Sequence, residues 1–139
     1  MNFLLDTNVA SETTRPQPSA AVLEWIAAQA SESLFLSAIT LGELRRGALL
    51  LAEGKKRKAL LGWIETGIKA DFASRILPVD TAVMERWAEL QIATQKAGRR
   101  LPLMDSLLAA TALAHGLTLV TRNVADFEAA DVQLLDPWR

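Results

Sequence analysis

Four acidic residues stand far apart in the chain, and each lies at the edge of an apolar run. They are Asp6 in FLLDTN, Glu43 in ITLGELRRG, Asp105 in LPLMDSLLAATAL and Asp126 in LVTRNVADF. Apolar runs form the core, so their ends reach the surface together where strands and helices end. Two carboxylates about 5 Å apart repel each other by roughly 3 kcal/mol at an effective dielectric constant of about 20. Mg²⁺ or Mn²⁺, which prefer hard oxygen ligands, would relieve that repulsion. The pattern therefore suggests metal-dependent chemistry on phosphate esters.

Taken singly, each of these acids also has an ordinary structural explanation. Asp6 and Asp105 are suitable helix N-caps, and Asp126 is suitable for closing a turn. Glu43 is spaced to form a weak surface ion pair with Arg46 on its own helix. However, Asp105 has apolar neighbours, and a buried carboxylate requires a partner or a metal. The combination favours one shared site over four separate structural roles.

The composition limits the class of protein. The chain has 139 residues, 50% of them hydrophobic, which suits one domain covering residues 1–139. It has no cysteine and a single histidine, His115, which excludes disulfides, thiolate zinc sites and cysteine nucleophiles. No apolar run reaches membrane-spanning length, and the first residues lack the pattern of a secretion signal. We therefore expect a cytoplasmic protein with no membrane role.

Short apolar runs alternate with helical patterns along the chain. The strand candidates are residues 2–5, 34–37, 75–79, 118–121 and 132–135, and the helical patterns cover residues 19–30, 40–52, 56–70, 80–97 and 105–115. Such alternation predicts a parallel sheet covered by helices on both faces, with the binding crevice outside the carboxyl ends of the strands. Asp6 would follow the first strand directly. Glu43 and Asp105 would lie in the first turns of two helices at the same edge.

Positive charge is concentrated in one segment. The chain carries a net charge of −1, but residues 45–58 contain six basic residues and one acid, so that segment is +5 and the remainder −6. Such a strip beside an acidic pocket suits binding of a polyanion. A solvated helix face explains the same charges equally well.

Four motifs occur in a fixed order, namely LLDTNV, SAITLGELRRG, MDSLLAATALAHG and LVTRNVADF. With these motifs the chain resembles, over nearly its whole length, the PIN-domain ribonucleases, specifically the VapC and FitB-like toxins of type II toxin–antitoxin pairs. The resemblance implies an α/β fold, a three-layer α/β/α sandwich with a five-stranded parallel sheet. It implies metal-binding carboxylates at Asp6, Glu43, Asp105 and Asp126. Positions that support the site are Thr7, Asn8, Thr121 and Asn123.

The resemblance also implies an activity, a cofactor and partners. The expected protein is an endoribonuclease toxin, a Mg²⁺- or Mn²⁺-dependent hydrolase that cuts RNA phosphodiester bonds. Asp6 and Asp105 would bind the metal, Glu43 and Asp126 would bind it directly or through water, and both one and two ions stay open. Arg45 and Arg46 are the first candidates for contacts to the RNA backbone. The expected partners are a second copy of the chain and a cognate VapB-like antitoxin, through which alone the complex would reach operator DNA.

Three other functions match parts of the pattern. A phosphatase of the haloacid-dehalogenase type needs Asp-x-Asp after the first strand, and here the third position is Asn8. A response-regulator receiver needs an acidic pair at the first strand and a lysine near the fifth, and both are absent. A binding module without activity, in which the acids are only helix caps, stays open. It would show no stabilisation by Mn²⁺.

Overall fold

Five short parallel strands form one sheet. In the computed structural model, which describes residues 1–139, the strand order is β3-β2-β1-β4-β5. β1 pairs with β2 on one side and with β4 on the other, so Phe3 lies opposite both Leu34 and Thr118. This confirms the predicted five-stranded parallel sheet. The strands are β1 Phe3–Leu5, β2 Leu34–Ser37, β3 Ile76–Leu77, β4 Thr118–Val120 and β5 Leu134–Leu135.

Helices connect the strands and cover the sheet. The predicted helical segments are all present, with small differences at their ends, and the segment predicted at 56–70 has a π-helical middle, Trp63–Ile68, between α4 and α5. The short helix α1 begins after Asp6, as the N-cap explanation of that residue suggested, whereas the short helix α8 was not predicted. No helix is both long and apolar enough to cross a membrane. The helices are α1 Thr7–Glu12, α2 Ala20–Ala28, α3 Ala38–Leu49, α4 Lys55–Gly62, α5 Lys69–Phe72, α6 Thr81–Lys96, α7 Leu103–His115 and α8 Val124–Phe127.

The two faces of the sheet form two separate core clusters. Successive side chains of a strand point to opposite faces, so Leu4 of β1 joins one cluster and Phe3 and Leu5 join the other. The cluster around Leu4 contains buried residues of α6 and α7. The cluster around Phe3 contains buried residues of α1 and α2. Helices on both faces of one sheet make the three-layer α/β/α sandwich that the resemblance implied.

Helix α7 is the most deeply buried connection between the sheet and the site. Its buried residues include Leu108, Ala109, Ala110 and Ala112, each at most 1% exposed. It ends at Gly116, whose φ of 65° lies in the left-handed region that favours glycine, and the chain then enters β4. The small alanine side chains allow α7 to lie close to the sheet.

The orientation of α7 predicts a difference between two of its leucines. Leu108→Ala should lower the free energy of unfolding by about 2–5 kcal/mol, because removal of a buried side chain leaves a cavity. Leu103→Ala is the matched control on the same helix. Leu103 is 58% exposed, so Leu103→Ala should lower the free energy of unfolding by less than about 0.5 kcal/mol. Urea unfolding curves measure both values, and equal effects would contradict this orientation of α7.

Candidate active site

Asp6 occupies the end of β1, where it is also the N-cap of α1. Its backbone N–H donates to the carbonyl of Val120 at 2.9 Å, which joins the ends of β1 and β4. The Oδ1 atom accepts from the Thr7 N–H at 2.7 Å, and Oδ2 accepts from the Thr121 hydroxyl at 2.8 Å. Each oxygen has a second lone pair, so the capping role leaves Asp6 able to bind a cation.

Glu43 reaches the same edge of the sheet from α3. The Ser37 hydroxyl accepts from the Ile39 N–H at 3.0 Å and caps the helix, which therefore begins at Ala38. Glu43 consequently lies in the second turn, and the prediction of the first turn was wrong. The Thr7 hydroxyl donates to Glu43 Oε1 at 2.7 Å. Glu43 forms no ion pair with Arg46, so its structural partner is a residue beside Asp6.

Polar side chains after β4 complete this hydrogen-bond network. Thr121, which is fully buried, accepts from the Asn8 amide at 3.4 Å and from the Asn123 backbone N–H at 3.0 Å. Asn8 Oδ1 accepts from the backbone N–H of Arg122 at 3.4 Å. Three of the four predicted supporting residues thus contribute side chains. Asn123 contributes only its backbone, and its side chain is exposed.

Asp105 lies in the first turn of α7, but it is not the N-cap, because Pro102 occupies that position. The following residue, Ser106, fixes this turn and was missed by the sequence analysis. Its hydroxyl donates to the Leu103 carbonyl at 2.7 Å and accepts from Trp87 Nε1 at 2.9 Å. A serine directly after the acid was the only signal in the sequence, and it gave no indication of Trp87.

Asp126 lies in the short helix α8 and is exposed. Its backbone N–H donates to the Asn123 carbonyl at 3.0 Å, which is the turn that the sequence suggested. Its side chain lines the same small cavity as Asp105. Asp126 and Asp105 therefore border the same cavity, and the charge of Asp126 acts on Asp105.

The carboxylates share one electrostatic environment. Burial raises the pKa of Asp6 above 3.8, the hydrogen bonds from Thr121 and Thr7 offset part of that rise, and the charge of Glu43 adds to it. Burial also raises the pKa of Asp105, and the negative charges of Asp6, Glu43 and Asp126 raise it further. The negative charges of the other three acids thus all act on Asp105. We call the region formed by Asp6, Glu43, Asp105 and Asp126 the acidic edge.

The acidic edge fits a hydrated divalent cation better than a fully enclosed one. No three acidic or histidine side chains stand around one point at metal-binding distance. Mg²⁺ usually keeps several waters and binds through one or two carboxylates together with substrate phosphates. The donors are all carboxylate oxygens, and Asp105 lies within electrostatic reach of the other three acids. The residues present therefore fit Mg²⁺ or Mn²⁺ by donor chemistry.

Two cavities adjoin the acidic edge. One has a volume of about 890 Å³ and includes Glu43 and Arg46 in its lining, and the other has a volume of about 390 Å³ and includes Asp105 and Asp126. Arg45 lines neither cavity and instead pairs with Glu65, at 3.5 Å between Nη1 and Oε1. Of the two arginines predicted to contact RNA, only Arg46 is beside the site.

The sequence model of the PIN domain matches residues 3–132. The chain belongs to the PIN domain family. Toxin FitB of Neisseria gonorrhoeae is 44% identical over 136 residues, covering 98% of both chains. VapC ribonuclease Y4jK of Sinorhizobium fredii is 40% identical over 136 residues, covering 98% of this chain and 97% of that protein. A solved structure of FitAB bound to an IR36 DNA fragment superposes with a TM-score of 0.94 and 42% identity, covering 99% of this chain and 96% of the other.

The repulsion in this PIN domain predicts a pH-dependent effect of Asp105→Asn. The folded-state pKa of Asp105 is raised, so its contribution to stability is fully present below the ordinary value of 3.8 and is lost as the pH rises through the folded value. Without metal, Asp105→Asn should therefore raise the melting temperature, and the gain should grow between about pH 4 and about pH 7.

Thermal melts in a chelating buffer measure this effect, and Asp71→Asn is the matched control. Asp71 is exposed in α5 and is not part of the acidic edge, so its replacement should give no comparable gain. A gain for Asp105→Asn that stays constant across this pH range would contradict the electrostatic account.

Proposed function

We propose that this protein is an endoribonuclease toxin that hydrolyses RNA phosphodiester bonds, and that a cognate VapB-like antitoxin neutralises it. The observation that carries the proposal is the acidic edge, to which four separate segments each contribute one carboxylate in a chain of the PIN domain family. Similarity over nearly the whole chain to a protein named as a ribonuclease and to another named as a toxin supports it. We propose further that residues 1–139 act as one nuclease domain in the cytoplasm, where its RNA substrate would be.

The proposed cofactor is Mg²⁺ or Mn²⁺, held by Asp6 and Asp105, with Glu43 and Asp126 in contact directly or through water. When bound, such a metal supplies an activated water and neutralises negative charge on the phosphate. The Thr7 N–H and the Thr121 hydroxyl hold the two oxygens of Asp6 in place. Thr7 also holds Glu43, which is then positioned to orient or deprotonate the attacking water. The chain has no cysteine and none of these residues is a histidine, so water is the proposed nucleophile.

The proposed partners are a second copy of the chain and the antitoxin. Large apolar side chains are exposed on several helices, among them Leu49, Ile92 and Leu103, and they provide surface for such contacts. The solved structure that superposes on this chain with a TM-score of 0.94 contains FitAB bound to a DNA fragment. By analogy, we propose that this protein reaches operator DNA only through its antitoxin.

Replacement of one carboxylate tests the activity. Asp6→Asn and Asp105→Asn should each lower RNA cleavage by more than about 100-fold, since even groups that only orient metal ligands contribute about 10- to 100-fold. The measurement is cleavage of total cellular RNA with Mg²⁺ or with chelator, followed by mapping of the new ends.

Asp71→Asn is again the control and should cleave like the wild type. Full activity in either acidic-edge variant would refute the assignment of that residue. Cleavage that continues undiminished in chelator would refute the proposed cofactor. A wild-type chain that neither cleaves RNA nor gains stability from Mn²⁺ would indicate a binding module without activity.

The different positions of two neighbouring arginines predict different effects on RNA binding. Arg46→Ala should weaken binding and reduce the salt dependence of log K by about 0.7, the value for one contact to a single-stranded phosphate. Arg45→Ala should change the slope little, because Arg45 already pairs with Glu65 away from the cavity. Fluorescence anisotropy over a series of salt concentrations measures both slopes. Equal reductions of the slope in the two variants would show that lining the cavity does not determine which arginine contacts the RNA.

A further inference from the structure

The two cavities beside the acidic edge are lined by different kinds of side chain. The larger one, about 890 Å³, has an apolar wall made of Ala38, Ile39, Val79, Met104 and Leu107. The smaller one, about 390 Å³, contains Arg99 and Arg100 next to Asp105 and Asp126. RNA in contact with both cavities would therefore meet two different environments.

The larger cavity has the properties of a site for a nucleobase. Its volume lies in the range of roughly 300–1,000 Å³ that is usual for small-molecule sites. Flat, weakly polar bases are commonly held against apolar side chains and identified by hydrogen bonds at their edges. Met104 is 51% exposed in the first turn of α7, so its flexible thioether is available to a ligand. Thr7, Glu43 and Arg46 supply polar groups in the same lining.

The position of Glu43 connects this cavity to the chemistry. Glu43 belongs to the lining of the larger cavity, and it is bonded to Thr7, whose N–H holds Asp6. An occupant of the cavity is therefore adjacent to the acidic edge. A base bound there would belong to a nucleotide at, or directly beside, the phosphodiester bond that is cleaved.

The smaller cavity suits a phosphate rather than a base. Arg99 forms an ion pair with Glu128, at 3.9 Å between Nη2 and Oε2, whereas Arg100 has no ion pair in the structure. An arginine without a protein partner is available to a phosphate, and contacts to phosphate position the nucleic acid but carry no information on its sequence. Arg100 is therefore suited to hold the RNA backbone on the side of Asp105 and Asp126.

We propose that the larger cavity is a nucleobase subsite in which Met104 determines specificity, and that Arg100 holds a backbone phosphate in the smaller cavity. The proposal rests on the ribonuclease function proposed above and extends it. It assigns base selection to the larger cavity, and it adds a backbone contact at Arg100 to the one proposed for Arg46.

The test is cleavage of a randomised RNA pool by the full-length protein, with sequencing of the products. Met104→Ala should change the ratio between favoured and disfavoured bases at one position by about tenfold, which is typical of altered contacts in an apolar pocket. Met84→Ala is the matched control, since Met84 is an exposed methionine on α6 that lines neither cavity. The control should retain the wild-type preference.

Arg100→Ala should reduce cleavage of all sequences by the same factor and lower the salt dependence of binding by about 0.7. Its matched control is Arg86→Ala, because Arg86 pairs with Glu89 on α6 and lines neither cavity. Melting temperatures of all variants should match the wild type, since both Met104 and Arg100 are exposed.

Several outcomes would overturn the proposal. If the wild type cleaves RNA and Met104→Ala keeps the same base preference, the nucleobase subsite is wrong. The nucleobase subsite is also wrong if Met104→Ala changes only the oligomeric state, as measured by sedimentation. The apolar wall of the larger cavity would then be part of a contact with a second copy of the chain. If Arg100→Ala changes the base preference or leaves the salt slope intact, the phosphate role is wrong. A wild-type chain that cleaves no RNA refutes the proposed function itself, and the subsites with it.

Discussion

The hydrogen bonds around Asp6 are the constraint on which the rest of the site depends. Its backbone is bonded to the end of β4, its carboxylate caps α1, and Thr121 holds its second oxygen. The bonds to Val120 and Thr121 join segments that are more than a hundred positions apart in the chain, Asp6 and Thr121 being separated by 115. Because parallel strands all end on one side of a sheet, the bonds form only when β1 and β4 are neighbours. The strand order thus determines where the carboxylates can meet.

The carboxylates of the acidic edge lower the stability of the folded protein as long as no cation offsets their repulsion. Burial and neighbouring negative charge raise the pKa values of Asp6 and Asp105, so their ionised forms are unfavourable in the folded protein. Folded proteins accept such unfavourable groups mainly where a ligand later compensates for them. In this chain the buried Leu108 and the buried alanines of α7 provide the stability that holds Asp105 in place. A cation at the acidic edge would remove the repulsion and would couple binding to stability.

The sequence was sufficient to predict the sheet, its parallel direction and the five main helical segments, whereas the roles of the four acids stay predictions. Those predictions rest on apolar runs and on motifs whose signal is local. The short helices α1 and α8 gave no periodic pattern, because four to six residues are too few to show one, and only the capping residue Asp6 suggested α1. Neighbours on a helix point in different directions, so the pair Arg45 and Arg46 gave no indication of which one would line the cavity. The bond between Ser106 and Trp87 joins two helices, and its partner could not be identified from spacing within either.

The course of α7 has a consequence for the way this chain tolerates change. The helix carries Asp105 in its first turn at the acidic edge and ends before Gly116, from which β4 leads back to Thr121. It therefore acts as a spacer of fixed length, about 18–20 Å at 1.5 Å per residue. One inserted or deleted residue would rotate Asp105 by about 100° about the helix axis relative to the anchored end. Conservative replacements along α7 keep that register, so insertions and deletions should accumulate in the surface connections instead, as in the exposed segment before α2.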